Sequence, residues 1–140
     1  MSETALLATL LEAEHAAVHG YGVLGARLDE ATRRDALRAV DSHRARRDQL
    51  AGLLRDRRAA VPVAEPGYDV AVTGRPDALV LAVRLELGLA VRWRDLVAGV
   101  DDRALRVVGT SGLVETAVRA ARWRRLAGVR PVTVALPGTP

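Results

Sequence analysis

The sequence predicts an all-α protein, a four-helix bundle with one long crossover between helices 2 and 3. Three observations predict it. Apolar residues recur at helical spacing through four separate stretches. Between the second and third stretches, residues 61–76 carry three prolines and two glycines and no helical period. The apolar side chains are almost entirely Leu, Val and Ala, because aromatics make up only 3% and Phe is absent. Few of them fall into the alternating β-branched runs that mark strands.

Helix 1 is expected over residues 3–28, with Ser2 as its cap. Leu7, Glu14, Tyr21 and Leu28 recur every seven residues, and Leu10 or Leu11, Val18, and Leu24 or Gly25 form a second seam. Asp29 reads as the N-cap of helix 2, expected over 30–60, with Ala36, Val40, His43, Arg47, Leu50 and Leu54 on its seam. The turn between them is short, so helices 1 and 2 are antiparallel neighbours.

The crossover 61–76 reaches about 50 Å when extended. A 26-residue helix is about 39 Å long. The segment can therefore cross the bundle from end to end, which is the ferritin-like topology. Helix 3 is expected over 77–98, with Pro76 in its first turn and a seam of Leu79, Val83, Glu86, Ala90, Trp93 and Val97. Gly99 ends it. Asp101 or Asp102 caps helix 4, expected over 102–127 with a bend or a loosened turn at Gly109–Gly112 and a stop at Gly128. Residues 129–140 read as an irregular tail, and residues 1–140 as one domain.

Composition narrows the function. There is no Cys, which excludes disulfides, thiolate zinc sites and cysteine nucleophiles. No stretch matches a membrane span or a basic, apolar leader, so a cytoplasmic protein is expected. The net charge is +4, and every basic side chain is Arg. Those arginines alternate with Asp and Glu and have few aromatics beside them, so the pattern does not point to nucleic acid. No phosphate loop, Ser-His-Asp set or dinucleotide fingerprint is present.

The informative anomaly is a polar set on the core seams. Glu14, His43 and Glu86 each share a heptad position with apolar residues, and Glu115 shares one with Val108. Each lies near the middle of its helix, so four helices point three carboxylates and one imidazole toward a common level. Buried charge needs compensation. A metal ion or pair is one candidate, since carboxylates and imidazole suit iron, manganese or zinc. Arg47, one turn from His43, and Arg119, one turn from Glu115, are the other. A weaker candidate is Glu12 with His15 and His19 on another face of helix 1, which has metal-ligand spacing but also reads as a solvated or subunit-facing stripe.

The chain resembles the actinobacterial ferritin-like domain family of unknown function over nearly its whole length. The resemblance is carried by residues 13–22 (Ala-Glu-His-Ala-Ala-Val-His-Gly-Tyr-Gly), by 43–48 (His-Arg-Ala-Arg-Arg-Asp), and by 115–124 (Glu-Thr-Ala-Val-Arg-Ala-Ala-Arg-Trp-Arg). The wider superfamily holds a di-iron site with a Glu on each of two helices and Glu-x-x-His on the others. Glu14 and Glu86 match the single acids. Helix 2 has Val40 three residues before His43, and helix 4 has Val118 three residues after Glu115, so both Glu-x-x-His motifs are incomplete. The resemblance therefore implies a non-catalytic binding or scaffold bundle, with no cofactor, whose acids are balanced by Arg. The alternatives are an atypical iron or manganese site at Glu14, His43, Glu86 and Glu115, and an Arg-mediated nucleic-acid binder. A homodimer through a helical face is expected.

Overall fold

In the computed structural model, which describes residues 1–139, four helices form the predicted bundle. They are α1 (Glu3–Gly25), α2 (Glu30–Asp56), α3 (Arg75–Gly99) and α4 (Arg103–Ala127). Their starts follow the capping chemistry. The Ser2 hydroxyl accepts from the Ala5 N–H at 3.2 Å. Asp29 accepts from the Thr32 N–H and hydroxyl, both at 2.9 Å. Asp102 accepts from the Ala104 and Leu105 N–H groups at 2.7 and 3.2 Å. Pro76 occupies the first turn of α3, where its missing N–H is not needed.

Two helices stop earlier than their apolar pattern suggests. Arg33 explains the end of α1: it reaches back from α2 to donate to the Gly25 carbonyl at 3.1 Å and the Leu28 carbonyl at 3.0 Å. These carbonyls would otherwise need helical partners. α2 stops at Asp56 because Arg58 turns left-handed, with φ 53. The Ala59 N–H then closes onto the Leu54 carbonyl at 3.0 Å, a Schellman-type ending. α4 ends in the same way at Gly128.

Contacts between helix ends fix the topology. Arg57, just past α2, pairs with Glu3 at the start of α1 and reaches Asp102 at the start of α4. Arg75 at the start of α3 faces Asp29 at the start of α2, 3.5 Å away. α2 and α3 therefore run parallel, and residues 57–74 carry the chain back along the full bundle. The crossover lies over α1: His15 Nε2 is 3.1 Å from the Pro62 carbonyl, and the Tyr68 ring packs on His19. Close packing joins α1 to α2, α1 to α3, and α3 to α4.

The glycines at Gly109 and Gly112 do not break α4, which is one continuous helix from Arg103 to Ala127. Gly112 carries the indole of Trp93 so closely that a Cβ there would stand 2.5 Å from the ring, and Gly109 is tight against Val97. These glycines let α4 approach α3, and that packing offsets their roughly 1 kcal/mol helix penalty each. The tail beyond α4 is irregular as expected; its last residue, Pro140, lies outside the described residues.

The apolar interior is divided in two. One layer holds Leu7, Leu10, Leu50, Leu54, Trp93 and Leu96. The other holds Tyr21, Leu24, Val40, Leu79 and Trp123. Glu14, His43 and Glu86 lie between these layers along the sequence of their helices, and all three are fully buried.

Candidate functional site

His43 stands at the centre of the polar layer. Its Nδ1 is 2.7 Å from Glu14 Oε2, and its Nε2 is 2.9 Å from Glu86 Oε1. An ionised carboxylate only accepts, so a ring bonded to two of them donates from both nitrogens and is an imidazolium. Burial opposes that charge. The hydrogen bonds to Glu14 and Glu86, with their negative charges, outweigh it and lift the His43 pKa from 6.5 to about 9.

Glu86 Oε1 takes two further donors. Arg119 of α4 donates its Nε at 2.9 Å, and the Tyr21 hydroxyl of α1 donates in a short hydrogen bond. Burial alone would raise the Glu86 pKa; His43, Arg119 and Tyr21 together bring it below its ordinary value. The Tyr21 phenol is pushed well up by its burial and then by the negative charge of Glu86. Its ring also stacks on His43 at 5.3 Å and meets Trp123 at 6.0 Å. The cluster thus takes one residue from each of α2, α3 and α4 and two from α1. It sets two acids against two cations, a balanced buried group.

Two residues expected there are elsewhere. Arg47 points outward and pairs with its neighbour Asp48 at 2.9 Å. Glu115 is exposed, and the residue after it, Thr116, takes the buried position on α4. The buried stripe of α4 is Leu105, Gly109, Gly112, Thr116, Ala120 and Trp123, one residue out of step with Val108 and Glu115. Its apolar signal is weak because half of it is Gly or Ala.

Glu115 has a different partner. Arg46 of α2 grips it with two bonds, Nε at 3.0 Å and Nη2 at 2.6 Å. The same guanidinium donates to Ser111 Oγ at 2.8 Å and Gln49 Oε1 at 2.9 Å, and it lies 5.4 Å over the Trp93 ring. This clamp spans α2 and α4. Sequence reasoning missed Arg46, and the adjacent Arg47 gave the pattern no way to choose between them. Tyr21 was legible as a buried position, but nothing in the pattern aimed its hydroxyl at Glu86.

The surface candidate does not assemble either. His15 and His19 are engaged by the crossover at Pro62 and Tyr68, while Glu12 is exposed. Among the described residues, no three or more His, Asp or Glu side chains are grouped so as to hold a metal ion. Among the same residues, no helix is long and apolar enough to cross a membrane.

No curated protein matches the chain. A crystal structure of a conserved hypothetical protein, rv2844, from Mycobacterium tuberculosis is similar to it, with a TM-score of 0.85 and 35% sequence identity. That similarity covers 89% of this chain and 96% of the other. A family described as a domain of unknown function, DUF4439, matches residues 5–140, nearly the whole bundle. With its four helices and long crossover, this chain belongs to the DUF4439 family.

Proposed function

We propose that this protein is a non-catalytic binding or scaffold bundle on a ferritin-like frame, with its buried acids balanced by His43 and Arg119. The observation that carries this reading is the double engagement of His43. A metal-ligating histidine offers a neutral ring nitrogen, and both nitrogens here face carboxylate oxygens. Glu86 Oε1 already serves three donors. The imidazole and both carboxylates are closed to solvent, which also disfavours proton exchange with a substrate.

A second reading is an iron- or manganese-binding protein or oxidoreductase using Glu14, His43 and Glu86. It rests on Glu14 Oε1 and Glu86 Oε2, which are buried and have no hydrogen-bond partner among the described residues. Elemental analysis separates the two. Protein purified without chelator or affinity metal is expected to carry only traces of metal, as is Glu86→Gln. About one or two equivalents per chain, lost in Glu86→Gln, would establish the metal reading instead.

Nucleic-acid binding is less well supported, since arginines of α2 face acids of their own chain: Arg38–Asp35, Arg44–Asp41, Arg46–Glu115 and Arg47–Asp48. For the scaffold role, we infer self-association through the outer face of α4. Exposed Val107 and Val114 recur there one heptad apart. Sedimentation velocity should show a dimer that Val114→Glu converts to monomer. A monomer at all concentrations would remove this part.

A further inference from the structure

On the side of α3 and α4 away from the crossover is a cavity of about 1100 Å³. Its walls are aliphatic: Val83, Leu87 and Val91 from α3, and Ala117 and Ala121 from α4, with the tail along the far edge. That volume slightly exceeds the usual range of ligand sites, about 300 to 1,000 Å³. Gly88 opens the α3 wall, and a Cβ added there would meet nothing within 4 Å.

The tail wall is docked in place. Gly138 has φ +81, and a Cβ on it would stand 2.5 Å from the Ala90 carbonyl and 2.9 Å from the Arg94 Cβ. Glycine satisfies both demands, so the tail backbone seats directly on α3. Val132, Val134 and Pro137 of the same segment then line the cavity.

The charge around this apolar space has one sign. Arg84, Arg122, Arg124 and Arg125 line it, and no Asp or Glu does. Among the described residues none of the four forms an ion pair, unlike Arg38, Arg44, Arg46 and Arg47 of α2. The Arg124 Nε is buried and has no hydrogen-bond partner among those residues. That nitrogen is closed to the cavity as well as to solvent, so what the groove offers is the charge of four guanidinium groups, whose natural complement is a carboxylate.

We propose that this groove binds a long-chain carboxylate, with the acyl chain along the Val and Ala walls and the headgroup on the arginines. Besides cationic donors, the polar groups on the lining side chains are the hydroxyls of Thr133 and Thr139, and that of Thr139 already donates to the Leu136 carbonyl at 2.6 Å. That suits one anionic head on a hydrocarbon chain. A peptide would need donors and acceptors paired along its whole length.

Isothermal titration calorimetry with dodecanoate, decanoate, decanol and acetate, each below its micellar range, tests the proposal. Dodecanoate should saturate at one molecule per chain. Decanoate should bind more weakly, by up to about fifteenfold for two methylenes. Decanol and acetate, each lacking half of the recognition, should bind far more weakly than either acid. The double variant Arg84→Gln/Arg124→Gln should weaken dodecanoate tenfold or more, and Gly88→Leu should obstruct it, with circular dichroism confirming that both remain folded. No saturable binding of dodecanoate would overturn the proposal. So would equal affinity for decanol, or full affinity in both variants. A wild-type dimer that Gly88→Leu dissociates, with no dodecanoate bound, would overturn it too and assign the groove to a second copy of the chain.

Discussion

His43 Nε2 lies 2.9 Å from Glu86 Oε1, and both side chains are sealed from solvent. This pair dominates how the bundle should respond to pH. The His43 pKa is 6.5 when the chain is unfolded and about 9 in the fold. A raised histidine pKa contributes stability that is complete below the unfolded value and lost as pH rises through the folded one. The gap corresponds to at most about 3 kcal/mol. Glu86 acts at the other end. Its lowered pKa contributes stability above the ordinary 4.5 that is lost as pH falls through the folded value. The melting temperature should therefore be highest between about pH 4.5 and 6.5 and fall steadily toward pH 9. A melting temperature that rises from pH 6.5 to 9 would show that His43 is not an imidazolium.

Removing His43 should be far worse than removing Tyr21. His43→Gln leaves Glu14 and Glu86 buried without their shared cation, at a cost of about 3 to 5 kcal/mol. Tyr21→Phe removes one donor to Glu86 Oε1, which keeps Arg119 and His43. Its cost should be about 1 to 2 kcal/mol. Urea denaturation gives both values. The His43→Gln protein should also lose the alkaline fall in stability, a readout that simple loss of packing would not change.

The clamp between α2 and α4 makes a prediction about neighbouring arginines. Arg46 is held by Glu115, Ser111 and Gln49 and lies over Trp93, whereas Arg47 meets only the exposed Asp48. Arg46→Ala should cost about 1 to 2 kcal/mol, a figure kept low because Glu115 is partly solvated. Arg47→Ala should fall within about 0.5 kcal/mol of wild type. Equal effects in thermal melts would argue against the clamp.

The contrast between α1 and α4 shows what the sequence could reveal. Leu7 and Tyr21 on α1, with Leu28 in the turn beyond it, frame Glu14 with bulky apolar neighbours, so a buried acid stands out by period alone, and it is buried. His43 and Glu86 were legible for the same reason. On α4 the inner stripe is Gly109, Gly112, Thr116 and Ala120, whose small side chains carry almost no hydrophobic signal. Val107, Val114 and Val118, which do carry one, point to solvent. The half-buried Val108 stands one residue before Gly109, and a period taken from it puts Glu115, seven residues on, inside. The need for small residues comes from the indole of Trp93, a contact from another helix that no local pattern encodes. The groove was illegible for a related reason. It exists only because the tail folds back onto α3 at Gly138, a long-range contact.

The end of α2 provides the last prediction. Arg58 occupies the left-handed position of a Schellman-type ending, where its φ of 53 brings its Cβ close to backbone atoms. The equivalent position after α4 is Gly128, with φ 71. No hydrogen bond or ion pair of the Arg58 side chain compensates among the described residues, and the residue is exposed. Arg58→Gly removes the steric penalty but adds entropy to the unfolded chain, so the two effects partly cancel. The net gain should be about 0.5 to 1 kcal/mol. The Ala59 N–H bond to the Leu54 carbonyl must survive for this to hold, because it closes the helix and starts the crossover. Arg58→Val should have the opposite effect, since a β-branched residue tolerates positive φ poorly. Chemical denaturation of both variants checks the sign. A less stable Arg58→Gly protein would mean that the Arg58 side chain contributes more to the crossover than its backbone strain costs.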